Sequence, residues 1–361
     1  MEKVKKPLWK RILKVVLIVI LCIVIFVAAF AVFMTVNEYN PADVESLEVK
    51  GQAASVLKAG EPVKVLTWNI GYGALGEGAD FFMDGGERVY TDTEEGVWKN
   101  LQAIYNDIRS EDPDLVLLQE ADMDSARSYN IDEPAYFEDY FEEYESVFAL
   151  NYNTLFVPYP MPPMGKVVAG IQTLSSYDIA DSSRYQLPCP FSWPVKLFNL
   201  KRCCTVTHIP IEGSDKQLAL INLHLEAYDE GEGKIEQTKL LKSIMDREVS
   251  AGNYVIAGGD FNQIFSSYNN GRFDVTDPEL WAPGIIEESD FGDGWKFVMD
   301  ADTPSCRSLD RAYDPDDSGF QYYLIDGFIV SDNVAVWEAE TLSKGFVNSD
   351  HNPVMIRVTL E

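Results

Sequence analysis

The 361-residue chain predicts an α/β fold of two packed mixed sheets with helices on the outside, preceded by one transmembrane helix. Three observations carry this reading. A long apolar run stands near the N-terminus, short β-branched or aromatic runs alternate irregularly with amphipathic stretches beyond it, and polar clusters close those runs. Apolar residues make up 46% of the chain, enough for a large core, which excludes a disordered tail or a disulfide miniprotein.

In chain order, residues 1–14 form a basic segment with Lys3, Lys5, Lys6, Lys10, Arg11 and Lys14 against the single acid Glu2. Residues 15–36 are 22 residues whose only polar member is Thr35, a length that spans the hydrocarbon core as a helix. The positive-inside rule places the N-terminus in the cytoplasm and the rest of the chain outside, at the cell membrane. A cleaved signal peptide is the alternative, since Ala29-Phe30-Ala31 has the small-x-small form of a cleavage site. That tripeptide lies inside the apolar run, and the run exceeds an ordinary signal-peptide core, which favours an uncleaved anchor. Residues 37–61 are polar and read as a linker.

Residues 62–361 read as one domain without internal repeats. Buried strands are expected at 63–68, 115–118, 218–223, 254–257, 323–330 and 354–358, each ending in a polar cluster. Helices are expected at 94–109, with Val97, Leu101, Ile104 and Ile108 on one face, and at 234–249, with Ile235, Leu240, Leu241 and Ile244. The formal charge is −29, and beyond the six N-terminal bases and Glu2 the balance is −34. Such a body excludes avid non-specific nucleic-acid binding and is repelled by an anionic membrane except through its tether. Cys22 lies in the span. An oxidising location permits bridges among Cys189, Cys203, Cys204 and Cys306, although Cys203 and Cys204 face opposite sides of a strand, and free buried thiols are the alternative.

Six strand-terminal segments carry the chemistry: Thr67-Trp68-Asn69-Ile70, Leu118-Gln119-Glu120, Asn222-Leu223-His224-Leu225, Gly258-Gly259-Asp260-Phe261-Asn262, Tyr323-Leu324-Ile325-Asp326 and Asn348-Ser349-Asp350-His351-Asn352-Pro353. One Asp or Asn after a strand is ordinarily a turn residue. Six in this order resemble the endonuclease/exonuclease/phosphatase superfamily, which includes deoxyribonucleases, sphingomyelinases and inositol polyphosphate phosphatases. The Gly-Asp-Phe-Asn and Ser-Asp-His-x-Pro segments are its most specific motifs, and residues 170–177 look like its Gly-x-x-x-Leu-Ser-x-Tyr strand, with Ser176 where the family has Arg. The resemblance spans about residues 62–361 and implies a four-layer α/β/β/α sandwich with the active site at one end of the paired sheets.

Phosphate-ester hydrolysis requires a charge-neutralising cation, an activated water and stabilisation of the developing charge. Glu120 is the expected Mg²⁺ ligand, completed by Asn69 and Asp350, with Mn²⁺ as the alternative ion; the oxygen-rich set disfavours zinc. His351 is expected as base or phosphate-binding cation oriented by Asp326. Asp260 would hold or deprotonate water, Asn262 would donate to a non-bridging oxygen, and His224 would contact the phosphate or the leaving group. Arg127, Lys166, Arg184 and Asp229 are further substrate-contact candidates, each balanced against an ordinary surface or loop role. His208 reads as structural.

The Gly-rich stretch 71–86 lacks the spacing of a phosphate-cradling loop and, with Phe81, Phe82 and Met83, reads as a substrate lip; the Pro-rich run 157–164 reads as an adjoining rim or a rigid surface segment. These features predict a membrane-tethered, extracytoplasmic, Mg²⁺-dependent phosphoesterase acting on a lipid head group, a small phosphate ester or nucleic acid. Nucleic acid enters only as substrate, and no protein partner is evident. An extracellular nuclease is the alternative, and a non-catalytic binding protein on the same scaffold is the reading from another class.

Overall fold

Backbone hydrogen bonding sorts the apolar runs into two seven-stranded sheets in the computed structural model, which describes residues 7–229, 231–275 and 277–361. Helix α1 (Leu8–Val36) is followed by β1 (Val44–Ser46), β2 (Lys50–Gly51), β3 (Pro62–Asn69), α2 (Glu94–Glu111), β4 (Leu115–Asp122), α3 (Glu133–Tyr140), β5 (Glu145–Val157), β6 (Gly165–Ser175) and β7 (Asp181–Gln186). Next come β8 (Cys203–Pro210), β9 (Gln217–His224), α4 (Glu232–Ser250), β10 (Tyr254–Asp260), β11 (Gln263–Phe265), β12 (Gly284–Ile286) and β13 (Trp295–Val298). The chain closes with β14 (Cys306–Arg307), β15 (Tyr322–Tyr323), β16 (Asp326–Ser331), β17 (Val334–Thr341) and β18 (Val354–Leu360).

The first sheet has the order β17-β18-β3-β4-β6-β5-β2 and the second β1-β7-β8-β9-β10-β16-β13. Period-2 alternation assigns each strand residue to a layer. Val63 and Val65 meet Leu218, Leu220, Ile256 and Phe328 between the sheets, while Leu66 and Trp68 point outward onto Val97, Leu101 and Ile104 of α2. On the far side Leu241, Ile244 and Met245 of α4 cover Val255 and Ala257. The result is the expected sandwich of two sheets between helical layers.

Helix α2 begins where Thr93 accepts the amide of Gly96 at 3.0 Å and ends at Asp112 in the left-handed conformation (φ 49°). Its four predicted apolar residues are all buried. In α4 the prediction is less complete, because Ile235 is exposed and Met245 takes part in the contact instead. Helix α3, capped by Asp132, is too short for a readable period.

The polar segment 37–61 is more than a linker. β1 pairs with β7 on the second sheet, β2 pairs with β5 on the first, and Leu57 is buried between them. Two- and three-residue edge strands have no periodicity to read, which is why composition alone suggests a stalk. Helix α1 contains the expected span but begins earlier, at Leu8, so that Lys10, Arg11 and Lys14 of the basic segment join its first turns; it is long and apolar enough to cross a membrane. Glu2, Lys3, Lys5 and Lys6 of the basic segment lie outside the described residues. The five cysteines are free thiols, with Cys203 and Cys204 packed on opposite faces of β8 as expected.

Candidate active site

Two parallel strand pairs run side by side in register and end together. β3 and β4 reach Asn69 opposite Gln119, while β9 and β10 reach His224 opposite Asp260. Antiparallel β16 starts at the same level, pairing Asp326 with Asp260. The two sheets are tied just beneath by buried amides: Asn222 donates to the carbonyls of Leu118 (3.2 Å) and Gln172 (2.9 Å), and Gln119 donates to Asn222 (2.8 Å). This network fixes which strand ends face one another.

Local backbone features aim the side chains. β4 has a register shift between Leu118 and Ala121, and Glu120 within it has φ 55°, a bulge that turns its carboxylate toward the cleft. At Gly259 a Cβ would lie 2.0 Å from the Leu223 carbonyl oxygen, so this position of the Gly-Asp-Phe-Asn motif admits no side chain. Asn262 takes φ 50°, a conformation Asn tolerates, and its amide N–H donates to Asp260 at 2.8 Å. Ser349 donates to the Asn69 carbonyl at 2.8 Å, and Trp68 donates to the His351 carbonyl at 2.9 Å, which clamps the Ser-Asp-His loop against β3.

Asp260 occupies the centre. Its Oδ2 accepts from Asn69 Nδ2 at 3.0 Å and lies 3.4 Å from His224 Nε2 and 3.9 Å from His351 Nε2. Asn69 Nδ2 also donates to Glu120 Oε1 at 3.2 Å, and Glu120 stands 4.0 Å from His224. His351 Nδ1 bonds Asp326 Oδ2 at 2.8 Å, and its Nε2 is 3.8 Å from Asp350. Thus Asn69, Glu120, His224, Asp260, Asn262, Asp326, Asp350 and His351 are brought to one end of the sandwich; six of them line a single cleft, and the other two, Asn69 and Asp326, bond to residues that do.

The site carries uncompensated negative charge. Burial pushes the Asp260 carboxyl up to about 7, and Asp326 adds to the rise; burial and Glu120 likewise lift Asp350 to about 6. Burial opposes charge on His351, but Asp326, Cys306 and Asp350 outweigh it and hold the imidazole well above its ordinary range. His224 moves the other way, driven down by burial and then by Arg202, His351 and Arg127, so it is neutral near pH 7. One oxygen of Asp326 is buried without a partner. A divalent cation fits this donor set of carboxylate and amide oxygens, because it would relieve the crowding that lifts the carboxyls. Cys306 also borders the Asp350–His351 end.

The other candidates divide. Arg127 lines the cleft, bound bidentately to Asp122 (2.9 and 3.0 Å) and stacked 3.7 Å from the Tyr72 ring centroid. Lys166 lies outside, in a solvent-exposed ion pair with Asp124. Arg184 is buried away from the cleft, donating to the carbonyls of Leu150 (2.8 Å) and Lys201 (2.9 Å), a structural tie rather than a substrate contact. Asp229 accepts the amides of Gly231 (2.9 Å) and Gly233 (2.5 Å) at the start of α4 instead of facing the cleft.

Sequence reasoning missed Arg202 and Arg307. Both are buried and line the cleft; Arg202 pairs with Glu226 and reaches the His224 carbonyl, while Arg307 donates to the Gly76 carbonyl at 2.7 Å. Neither has a local signal, since their burial arises from tertiary packing. Both proposed rims do border the cleft: Phe81, Phe82 and Met83 from one stretch, Val157, Tyr159 and Met164 from the other.

His208 lies elsewhere, bridging Asp181 (2.9 Å) and Glu248 (3.1 Å). The hydrogen bond to Glu248 lifts the imidazole to about 9. A raised folded value contributes stability that is complete below the ordinary His range and lost as pH rises through about 9. His208→Ala is therefore expected to cost on the order of 1 kcal/mol near pH 6 and much less near pH 10, read from melting temperatures across pH. An equal loss at both pH values would contradict the charged bridge.

The profile of the Endonuclease/Exonuclease/phosphatase family matches residues 66–351. No curated protein matches the chain. Among solved structures it is similar to an endonuclease/exonuclease/phosphatase from Beutenbergia cavernae DSM 12333, with 18% identity, TM-score 0.57, and 83% of this chain and 72% of that one covered. It is also similar to the human Nocturnin catalytic domain with bound sulfate anion (16%, TM-score 0.51, 87% and 97% covered). A third is an endonuclease/exonuclease/phosphatase family protein from Bacteroides thetaiotaomicron (14%, TM-score 0.53, 83% and 98% covered). At these identities the likeness is one of fold.

Proposed function

Since the chain belongs to the endonuclease/exonuclease/phosphatase family, whose members are metal-dependent hydrolases of phosphate esters, we propose that it is a membrane-tethered, extracytoplasmic, Mg²⁺-dependent phosphoesterase. The observation that carries the reading is the Asp326–His351–Asp260 array, a 2.8 Å carboxylate–imidazole pair facing a carboxylate held near neutrality. Glu120, Asp350 and the Asn69 amide would hold the ion, which when bound neutralises phosphate charge.

Asp260 is suited to accept the proton of an attacking water, because a carboxyl lifted to about 7 is a stronger base than an ordinary one. Asp326 fixes the ring of His351 through Nδ1, leaving Nε2 to meet a phosphate oxygen. His224, neutral and 3.4 Å from Asp260, is suited to contact a phosphate oxygen as a hydrogen-bond donor rather than to give up a proton. Asn262 spends one amide hydrogen on the Leu225 carbonyl (2.9 Å) and retains another for a non-bridging oxygen.

The test is a panel of plasmid DNA, sphingomyelin, phosphatidylinositol phosphates and a simple soluble phosphodiester, given to residues 37–361 and to the full chain with Mg²⁺. Hydrolysis of at least one ester is expected, together with digestion of the body by protease added outside intact cells. Inertness toward every ester, or a protected body, would overturn the activity or the topology respectively.

A further inference from the structure

Helix α1 does not leave the body as a free tether. The Phe30 ring stacks on Phe198 at 6.3 Å and meets Phe156 edge-on at 6.2 Å, and Met34, one helical turn on, is buried. Farther along, Trp193 Nε1 donates to Thr35 at 3.1 Å, and Lys196 and Lys201 pair with Glu38 at 3.3 and 3.0 Å. These contacts hold the helix end in one position against the loops at 155–161 and 193–198.

Their depth is set by helix geometry. The apolar run ends at Val36, and Phe30 lies six residues before it, about 9 Å lower at 1.5 Å per residue. The distances to Phe156 and Phe198 are shorter than that drop. A helix that spans the hydrocarbon therefore carries both rings below the level at which the apolar run ends. The flanking side chains suit such a position: Met161 is 86% exposed and Trp193 55% exposed, with Leu155 and Val195 also open. Trp193 and Lys196 stand at the level of Thr35 and Glu38, where amphipathic residues meet head groups, while Lys201 is buried in its pair with Glu38.

The same aromatic face continues into the cleft. Phe198 contacts Tyr159 at 6.3 Å, and Tyr159 contacts Phe82 at 6.3 Å; Tyr159 and Phe82 line the cleft that holds Glu120, His224 and Asp260. Building on the anchored phosphoesterase reading above, we propose that this face is seated in the outer leaflet of the membrane crossed by α1, and that the cleft takes the phosphate ester of a phospholipid in that leaflet. With a body of net charge −34, the seating rests on apolar insertion rather than on attraction to anionic lipid.

The experiment uses the full chain in phosphatidylcholine–phosphatidylglycerol vesicles with Mg²⁺. A fluorophore is attached at Met161→Cys, with Cys22→Ser and Cys189→Ser removing the accessible thiols. Quenching by a nitroxide placed high on the acyl chain is expected, and its absence would overturn the seating whatever the enzyme hydrolyses. Met161→Ser with Trp193→Ser should then reduce turnover of vesicle phospholipid by at least about tenfold while leaving a soluble phosphodiester unaffected. Equal effects on both substrates, or no phospholipid turnover by a chain that cleaves the soluble ester, would overturn the lipid assignment and leave the phosphoesterase standing. Inertness toward both would remove the phosphoesterase and the lipid assignment together, with the quenching still reporting on the seating.

Discussion

His351→Ala and Asp326→Asn are each expected to lower kcat by at least about a hundredfold, and the double variant to lose little more than either alone. The 2.8 Å bond between His351 Nδ1 and Asp326 fixes the ring's tautomer and direction, and Asp326 also makes the charged imidazole more favourable in a buried site. Removing the carboxylate thus removes what makes the imidazole useful, so most of the loss is shared. Circular dichroism and melting should show folded variants, which is a fair expectation for Asp326→Asn because its backbone N–H remains bound to Ser305 Oγ at 3.1 Å. Fully multiplicative losses would mean that the two residues act independently.

Chelation with EDTA is expected to abolish turnover, with recovery on adding Mg²⁺ or Mn²⁺. Glu120→Gln keeps the shape but removes a charge from the ion's neighbourhood, and it should raise the metal concentration for half activity by about tenfold or more, equivalent to roughly 1.4 kcal/mol. Metal titration of kcat checks this directly. Wild-type dependence in Glu120→Gln would remove it from the ligand set, and activity that survives exhaustive chelation would remove the cation altogether. The structure adds a constraint: Asn69 Oδ1 accepts the Gly71 amide at 3.1 Å while Nδ2 bridges Glu120 and Asp260, so Asn69 positions two carboxylates at least as directly as it offers an oxygen.

The central site was legible because Asn69, Glu120, His224 and Asp260 lie at or near the C-terminal ends of strongly apolar strands, which converge in register. Asp326 opens β16 rather than ending a strand as expected, and Asp350 and His351 lie in the loop before β18. Asp260 and Asp326 are neighbours because β10 and β16 pair, and His224 joins them through β9. Isolated bases were less legible. Lys166 and Arg184 have no surrounding pattern, and their partners, Asp124 for one and the Leu150 carbonyl for the other, are chosen by tertiary packing. Arg202 escaped notice for the same reason in reverse, since nothing beside it in the chain announces a buried guanidinium. For Asp229 the sequence leaves a cleft contact and an ordinary loop role open, and the structure selects the second, its carboxylate accepting the amides that open α4.

The stem between helix and body has a further physical consequence. β1 and β2 are the terminal strands of the two sheets, one on each, so the segment that follows α1 supplies a very short edge strand to one border of both. Unpaired strand borders are templates for pairing with other chains. A membrane confines its proteins to two dimensions, where copies meet often and in similar orientations. The opposite border of the first sheet is protected by other means, a bulge between Val336 and Glu338 in β17 and the charged pair of Glu338 with Arg357. On the membrane-tethered reading proposed above, the short edge strands that follow α1 would blunt lateral pairing between copies.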